Sequence, residues 1–303
     1  MTKPTLVDFV TDKQMLGLSI SPAQRTLLKV IDASPTLSPK ETEIFARCTG
    51  RVTYTPREYP EFTVIAGARA GKDSRIAGPV ALYEAIFGGH ETKAHKGEMP
   101  IVALVAQDAR AVNIAFSYIR DYLTGSPILK NMLAEEPLAT SLKLTNGVTI
   151  MCFPSTLRSM RGFSICCAIM DELAYFALEG QADSDKSIQD SITRGMINFP
   201  DAKLIKISTP WMKSGILYVD YQEGFGKDNP DFLVWQASSK LMNPSLLDST
   251  LNRAKRRDAA LYEREYEALF TDDLQAFLPQ PWLDAAIMRQ RFGVAPATST
   301  TSA

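Results

Sequence analysis

Six apolar residues in unbroken succession, Ile165 to Met170, run directly into two adjacent carboxylates, Asp171 and Glu172. A continuous run of this kind suits a strand buried on both faces of a parallel sheet. Carboxylates at the carboxyl end of such a strand stand where open α/β sheets bind their ligands. One carboxylate can hold a magnesium ion through its water shell, and the next can polarise an attacking water. Many buried strands end in Asp or Glu, so the pattern gains force only with a partner elsewhere in the chain.

That partner lies upstream. Glu61 to Ala66 reads as a short buried strand, and it enters Gly67-Ala68-Arg69-Ala70-Gly71-Lys72-Asp73-Ser74. An apolar-periodic segment, Ile76 to Phe87, follows and predicts a helix. Strand, glycine loop, lysine and helix together make a phosphate cradle. Backbone N–H groups and the helix dipole bind the phosphates, and the lysine reaches the β and γ oxygens. Ala66 stands where the usual pattern has its first glycine, although Gly67 follows directly. Asp73 stands where a Ser or Thr ordinarily ligates magnesium, so either Asp73 or Ser74 takes that role here.

The alternation of short apolar strands with helical patterns over residues 51–215 predicts an α/β fold with a mainly parallel sheet and helices on both faces. Residues 1–50 read as a helical N-terminal segment, with Ser21-Pro22 starting a helix just before Gln24. Leu142 to Leu144 and Val148 to Phe153, joined through Asn146-Gly147, predict a hairpin. Residues 216–277 read as a smaller lid, largely helical after Pro244, and 278–303 as a linker ending in an Ala-, Ser- and Thr-rich stretch.

The net charge of −1 excludes a broadly basic nucleic-acid binder, so any DNA contact must come from a local patch. One candidate is Arg253, Lys255, Arg256 and Arg257; a solvated helix face balanced by Asp258, Glu263 and Glu265 accounts for it equally well. No apolar run is long enough to span a bilayer, and Met1 to Val10 lacks the pattern of a secretion signal. Cys48, Cys152, Cys166 and Cys167 show no metal-ligand spacing. His90 and His95, the two histidines of the chain, read as part of a solvated loop.

In order and spacing these motifs resemble the ATPase domain of large terminase subunits, the motors that pump double-stranded DNA into tailed-phage capsids. The resemblance runs from Ser21 to Phe277. Leu18 to Gln24 resembles the family's adenine-reading glutamine motif. Gly67 to Ser74 resembles its deviant phosphate loop, with Arg69 as the arginine ahead of the Gly-Lys pair. Ile101 to Ala106 with Gln107 to Arg110 resembles the second core strand and helix, and Ser159 to Gly162 the segment before the carboxylate strand. Leu204 to Pro210 is similar to the strand and coupling motif. Ala237 to Pro244, Tyr262 to Tyr266 and Thr271 to Asp273 are similar to the lid.

The resemblance implies a P-loop NTPase of the ASCE type with a small helical lid. It implies ATP with Mg2+, held by Gln24 at the base, by Gly67, Ala68, Arg69, Ala70, Gly71 and Lys72 at the phosphates, and by Asp171 with Asp73 or Ser74 at the metal. Glu172 would activate the water. Arg69 in the same chain or Arg161 from a neighbouring subunit would reach the γ-phosphate, and Ser208-Thr209-Pro210 would couple hydrolysis to the lid. Expected partners are double-stranded DNA, the portal protein of the procapsid, the small terminase subunit and further copies in a ring. The expected state is a monomer in isolation, with assembly in the host cytoplasm and away from membranes. Beyond Phe277 the one carboxylate is Asp284, whereas a metal-dependent nuclease needs several, so no nuclease activity is expected of this chain. Two other readings share the core: a helicase-like ATPase stimulated by nucleic acid, and a degenerate nucleotide-binding assembly module disabled by Asp73.

Overall fold

The computed structural model describes residues 3–155, 160, 162–176 and 185–271. Asp272, Asp273, Arg161, Ser159 and the expected linker lie outside the described residues.

Serine–proline pairs build the N-terminal segment. In α1 (Leu6–Thr11), Thr5 caps the amino end. In α2 (Pro22–Ile31) and α3 (Pro39–Thr49), a serine caps the first turn and proline takes the position whose N–H has no helical partner. Both caps are reciprocal: Gln24 and Glu41 reach back to the N–H of Ser21 and Ser38.

The core is a seven-stranded sheet, ordered β3-β4-β2-β5-β6-β1-β7. Its strands are β1 (Glu61–Ala66), β2 (Pro100–Ala106), β3 (Ser141–Lys143), β4 (Thr149–Pro154), β5 (Ser164–Asp171), β6 (Lys203–Ser208) and β7 (Phe232–Ala237). All pairings are parallel except β3 with β4, the predicted hairpin at the sheet edge. The central strands read as runs of Val, Ile, Leu, Ala and Cys because both of their faces are covered. Cys48, Cys166 and Cys167 are free thiols buried in this core.

Two lysines in β6 show how the faces are covered. Lys203 and Lys206 are three apart, so they point to opposite faces. Lys206, 1% exposed, meets Asp220 of α7 (Gly215–Gly224) at 2.6 Å and Glu61 at 3.0 Å, and donates to Gln189 of α6 (Asp185–Met196). Lys203 meets Glu84 of α4 (Gly78–Phe87) at 2.8 Å. Helices α6 and α7 therefore cover one face and α4 the other. Helix α5 (Ala109–Gly125) packs beside α4, against β2 and β4.

Three features depart from the sequence expectation. The core does not end at residue 215, because β7 pairs with β1 along its whole length, so residues 232–237 belong to the sheet and not to the lid. The helix after the phosphate loop opens with a π-helical turn, Lys72–Ala77, before α4. Pro79 explains it: its ring has no N–H and would clash with the carbonyl four residues back, and the wider turn takes up the strain. His90 is not solvated but fully buried, its Nε2 3.1 Å from Glu84 Oε2.

The Glu84 carboxylate sits between His90 and Lys203. Burial would raise its pKa, but these partners overcome burial and hold it at about 2, below the ordinary 4.5. The carboxylate's contribution to stability is therefore complete above about pH 4.5 and is lost as the pH falls toward about 2. A difference of that size corresponds to about 3 kcal/mol. In urea unfolding between pH 7 and pH 3, the wild type should lose stability more steeply than Glu84→Gln; equal slopes would remove this pair as the cause.

Candidate nucleotide site

The site forms where β1, β5 and β6 end. Strand β6 lies between the other two, so the loop after β1 and the carboxylates after β5 face each other across it. Lys72 opens the π-helical turn directly after Gly71, which adopts φ 80°. Its ammonium is buried and donates to Thr209 Oγ1 at 2.5 Å and to the Ala66 carbonyl at 3.4 Å. Glu172 Oε1 lies 3.3 Å away.

Glu172 follows β5 in left-handed backbone geometry, φ 52°. A non-glycine residue there costs about 1 kcal/mol or more, and such strain concentrates at functional sites. Its other oxygen accepts from the Thr209 N–H at 3.3 Å. The Ser208 hydroxyl accepts from the Ala174 N–H at 3.1 Å and lies 3.3 Å from the same Glu172 oxygen. Ser208 and Thr209 thus bring the end of β6 to Glu172 and Lys72 together.

Asp171 is nine-tenths buried at the end of β5 and faces Asp73 from the loop. Burial first, and the neighbouring carboxylates second, push both pKa values upward, Asp171 the further. Each keeps one buried oxygen without a hydrogen-bond partner, Asp73 Oδ1 and Asp171 Oδ1. A cation with oxygen preference suits such a pair. Ser74 also lines the cavity, and its carbonyl accepts from the Tyr122 hydroxyl at 2.7 Å. Among the described residues, no group of three or more His, Cys, Asp or Glu side chains is placed to hold a metal.

The first residues of the loop face the end of β7 and the lid. The Gly67 N–H donates to the Ala237 carbonyl at 3.2 Å and the Ala68 N–H to Glu265 at 2.6 Å. Ser239, in the short helix α8 (Ser239–Met242), donates its hydroxyl to the Ala68 carbonyl at 2.6 Å and its N–H to Tyr266 at 2.7 Å. Asn243 donates to the Arg69 carbonyl at 3.0 Å, where the backbone adopts φ 62°. Arg69 and Ala70 line the cavity with Gly71 and Lys72.

Gln24 is placed beside the loop, with both ends of its amide engaged. Oε1 accepts from Ser21 N–H at 2.9 Å, and Nε2 donates to the Ala70 carbonyl at 2.9 Å. Its capping role is written in the sequence as the Ser-x-x-Gln pattern at Ser21; the contact to Ala70, across the fold, is not. Arg75 adds a second tie, from its Nε to the Ser19 carbonyl at 3.0 Å. Sequence reading missed Arg75 and Tyr175, both of which line the cavity, because neither sits in a recognisable pattern.

Between the loop, the N-terminal segment and the lid lies an open cavity of ≈ 1070 Å³. Beyond Pro210, Trp211 stacks under Arg264 at 3.9 Å, and its carbonyl accepts from the Thr271 N–H at 3.3 Å. The strand end at Ser208-Thr209 thus continues directly into lid contacts. The candidate DNA patch occupies the end of α9 (Asp248–Arg257), where Arg253, Lys255, Arg256 and Arg257 are exposed. Three of these cations stand in the last turn, where the helix dipole favours them. The following α10 (Ala259–Glu265) carries Arg264. No helix among the described residues is long and apolar enough to cross a membrane.

Fold and site define a P-loop domain. The chain belongs to the family of the N-terminal P-loop domain of the uncharacterized protein MJ0330, whose model matches residues 4–268. None of the curated proteins matches it. Among solved structures, the HK97 bacteriophage large terminase is similar with TM-score 0.63 and 15% identity, over 86% of this chain and 53% of that one. The large terminase of a thermophilic bacteriophage, in complex with ATP-gamma-S, gives 0.56 and 15%, over 84% and 53%. The ATPase domain of the Thermus phage P74-26 large terminase gives 0.54 and 15%, over 77% and 98%. The chain therefore spans about half of the first two proteins and nearly all of the isolated ATPase domain, and at these identities the likeness is one of fold.

Gly67 is the tightest point of the site. A Cβ there would collide with Ser239 Oγ and would lie 2.8 Å from the Tyr266 carbonyl and 2.9 Å from that of Glu265. Gly67→Ala should cost about 1–3 kcal/mol through overpacking, measured by urea denaturation. An unchanged midpoint would show that the lid does not clamp the loop.

Proposed function

We propose that the chain is the ATPase of a viral DNA-packaging motor, hydrolysing ATP to drive double-stranded DNA into a procapsid. The observation that carries this reading is the convergence, across β6, of Lys72 and Glu172 in one cavity with Asp171 beside them at the end of β5. The terminase of the thermophilic bacteriophage, similar in fold, is described in complex with ATP-gamma-S, which supports a nucleotide in the corresponding cavity.

In this reading the ATP phosphates lie against the loop at Arg69 to Lys72. The amides of Gly67 and Ala68 already serve Ala237 of β7 and Glu265 of the lid, so the later residues carry the phosphate contacts. Lys72 leaves its partners at Thr209 and Glu172 and turns to the β and γ oxygens, where its charge offsets theirs. Asp73 and Asp171 would hold Mg2+, which would supply further neutralisation of the phosphate charge. Ser74 is the alternative protein ligand. Once Lys72 turns away, Glu172 is free to accept a proton from the attacking water, while Ser208 and Thr209 keep the carboxylate oriented. Loss of the γ-phosphate returns Lys72 to Thr209, and Pro210-Trp211 carries that change to the lid. Arg69 lies in the same cavity and Arg161 is assigned to a neighbouring subunit's ATP. Gln24 positions the base end of the cavity through its hold on Ala70. Duplex DNA, the portal protein and the small terminase subunit are the partners assigned on the family resemblance, with the active form a ring in the host cytoplasm.

Glu172→Gln should retain binding of a non-hydrolysable ATP analogue in calorimetry and lose at least about a hundredfold in turnover. Lys72→Ala should lose the binding itself. Turnover by Glu172→Gln near the wild-type rate would remove Glu172 as the base, and no nucleotide binding by the folded wild type would overturn the ATPase reading. For Arg161, subunits carrying Arg161→Ala are mixed with subunits carrying Lys72→Ala. Recovered ATPase activity in the mixture establishes action across an interface, and no recovery places Arg161 in its own subunit.

A further inference from the structure

A phosphate loop of the usual kind offers the metal one neutral hydroxyl, and the cation arrives with the nucleotide whose phosphates supply most of its ligands. This chain differs at that position. Asp73 puts a second carboxylate beside Asp171. Asp171 is nine-tenths buried, and its Oδ1 has no hydrogen-bond partner; Asp73 Oδ1 is buried and equally unmatched. The cation nearest them in the chain, Lys72, is engaged by Thr209, Ala66 and Glu172. Two buried carboxylates therefore face each other with unmatched oxygens, an arrangement that costs free energy until a charge of opposite sign enters.

We propose that Asp73 and Asp171 form a divalent-cation site that fills in the free chain, before any nucleotide binds. The two carboxylates bind a hard cation directly, and waters complete its shell, as magnesium commonly allows. The cation's charge balances theirs, so ATP meets a loop whose two carboxylates are already neutralised. The proposal rests on the nucleotide-site reading only for its sequel, since cation binding itself needs no nucleotide.

The test is Mn2+ titration of the nucleotide-free protein, followed by the loss of the free-ion paramagnetic resonance signal, together with thermal unfolding in MgCl2. The wild type should take up one equivalent and its unfolding midpoint should rise with the cation. Asp73→Ser, which restores the common hydroxyl, should weaken nucleotide-free binding at least about tenfold. Asp171→Asn, checked for folding by circular dichroism, should lose the cation with or without the ATP analogue. A folded wild type that binds no Mn2+ without nucleotide overturns the proposal, as does Asp73→Ser that binds it unchanged. Failure of the wild type to bind the ATP analogue would count against the ATPase reading alone and leave the cation result standing.

Discussion

Lys72 places an ammonium group in the interior at the ends of β1, β5 and β6, and a buried charge of that kind survives only when its surroundings meet it. Each of the three strands contributes: β1 its last carbonyl at Ala66, β5 the following Glu172, and β6 the following Thr209. The lysine thereby ties three strand ends that sheet hydrogen bonding alone would leave to their loops. It also holds Glu172 in a backbone geometry that an isolated glutamate avoids. Remove the charge and the carboxylate loses its reason to lean toward the loop.

The same economy recurs along β6. Lys203 and Lys206 serve the two faces in turn, each reaching a carboxylate on the helix packed over it. Breaking one partner of such a pair leaves an unmatched buried charge and costs several kcal/mol, whereas apolar replacement of both can be neutral. The lysines therefore act as locators: they fix which helix lies over which stretch of the sheet, and so hold steady the strand whose end carries Ser208 and Thr209.

Much of this was legible in the chain. The run Ile165 to Met170 and the loop Gly67 to Lys72 carry their geometry in local pattern, because a doubly buried strand needs an unbroken apolar run and a phosphate loop needs glycine. The Asn146-Gly147 turn and the Ser21 cap are equally local. What escaped was set by distant partners. His90 looks solvated beside its polar neighbours, and only Glu84 and Lys203 explain its burial. Strand β7 follows what reads as the start of a lid, yet β1 needs a partner on its outer edge and β7 supplies it. The π-helical turn was announced by Pro79 but overshadowed by the helical periodicity around it. The meeting of Asp73 with Asp171 depends on strand order, which no single segment contains.

The lid grips the phosphate loop at the loop's own main-chain atoms. The Ala68 N–H donates to the Glu265 carbonyl, while the Ser239 hydroxyl and the Asn243 amide donate to the carbonyls of Ala68 and Arg69. Carbonyls and amides are the same in every residue, so the side chains at Ala68 and Arg69 can change while the loop keeps its shape. Such a joint places little demand on the sequence of the loop, and a fold built around it can remain recognisable in three dimensions after 15% of its residues are all that still agree.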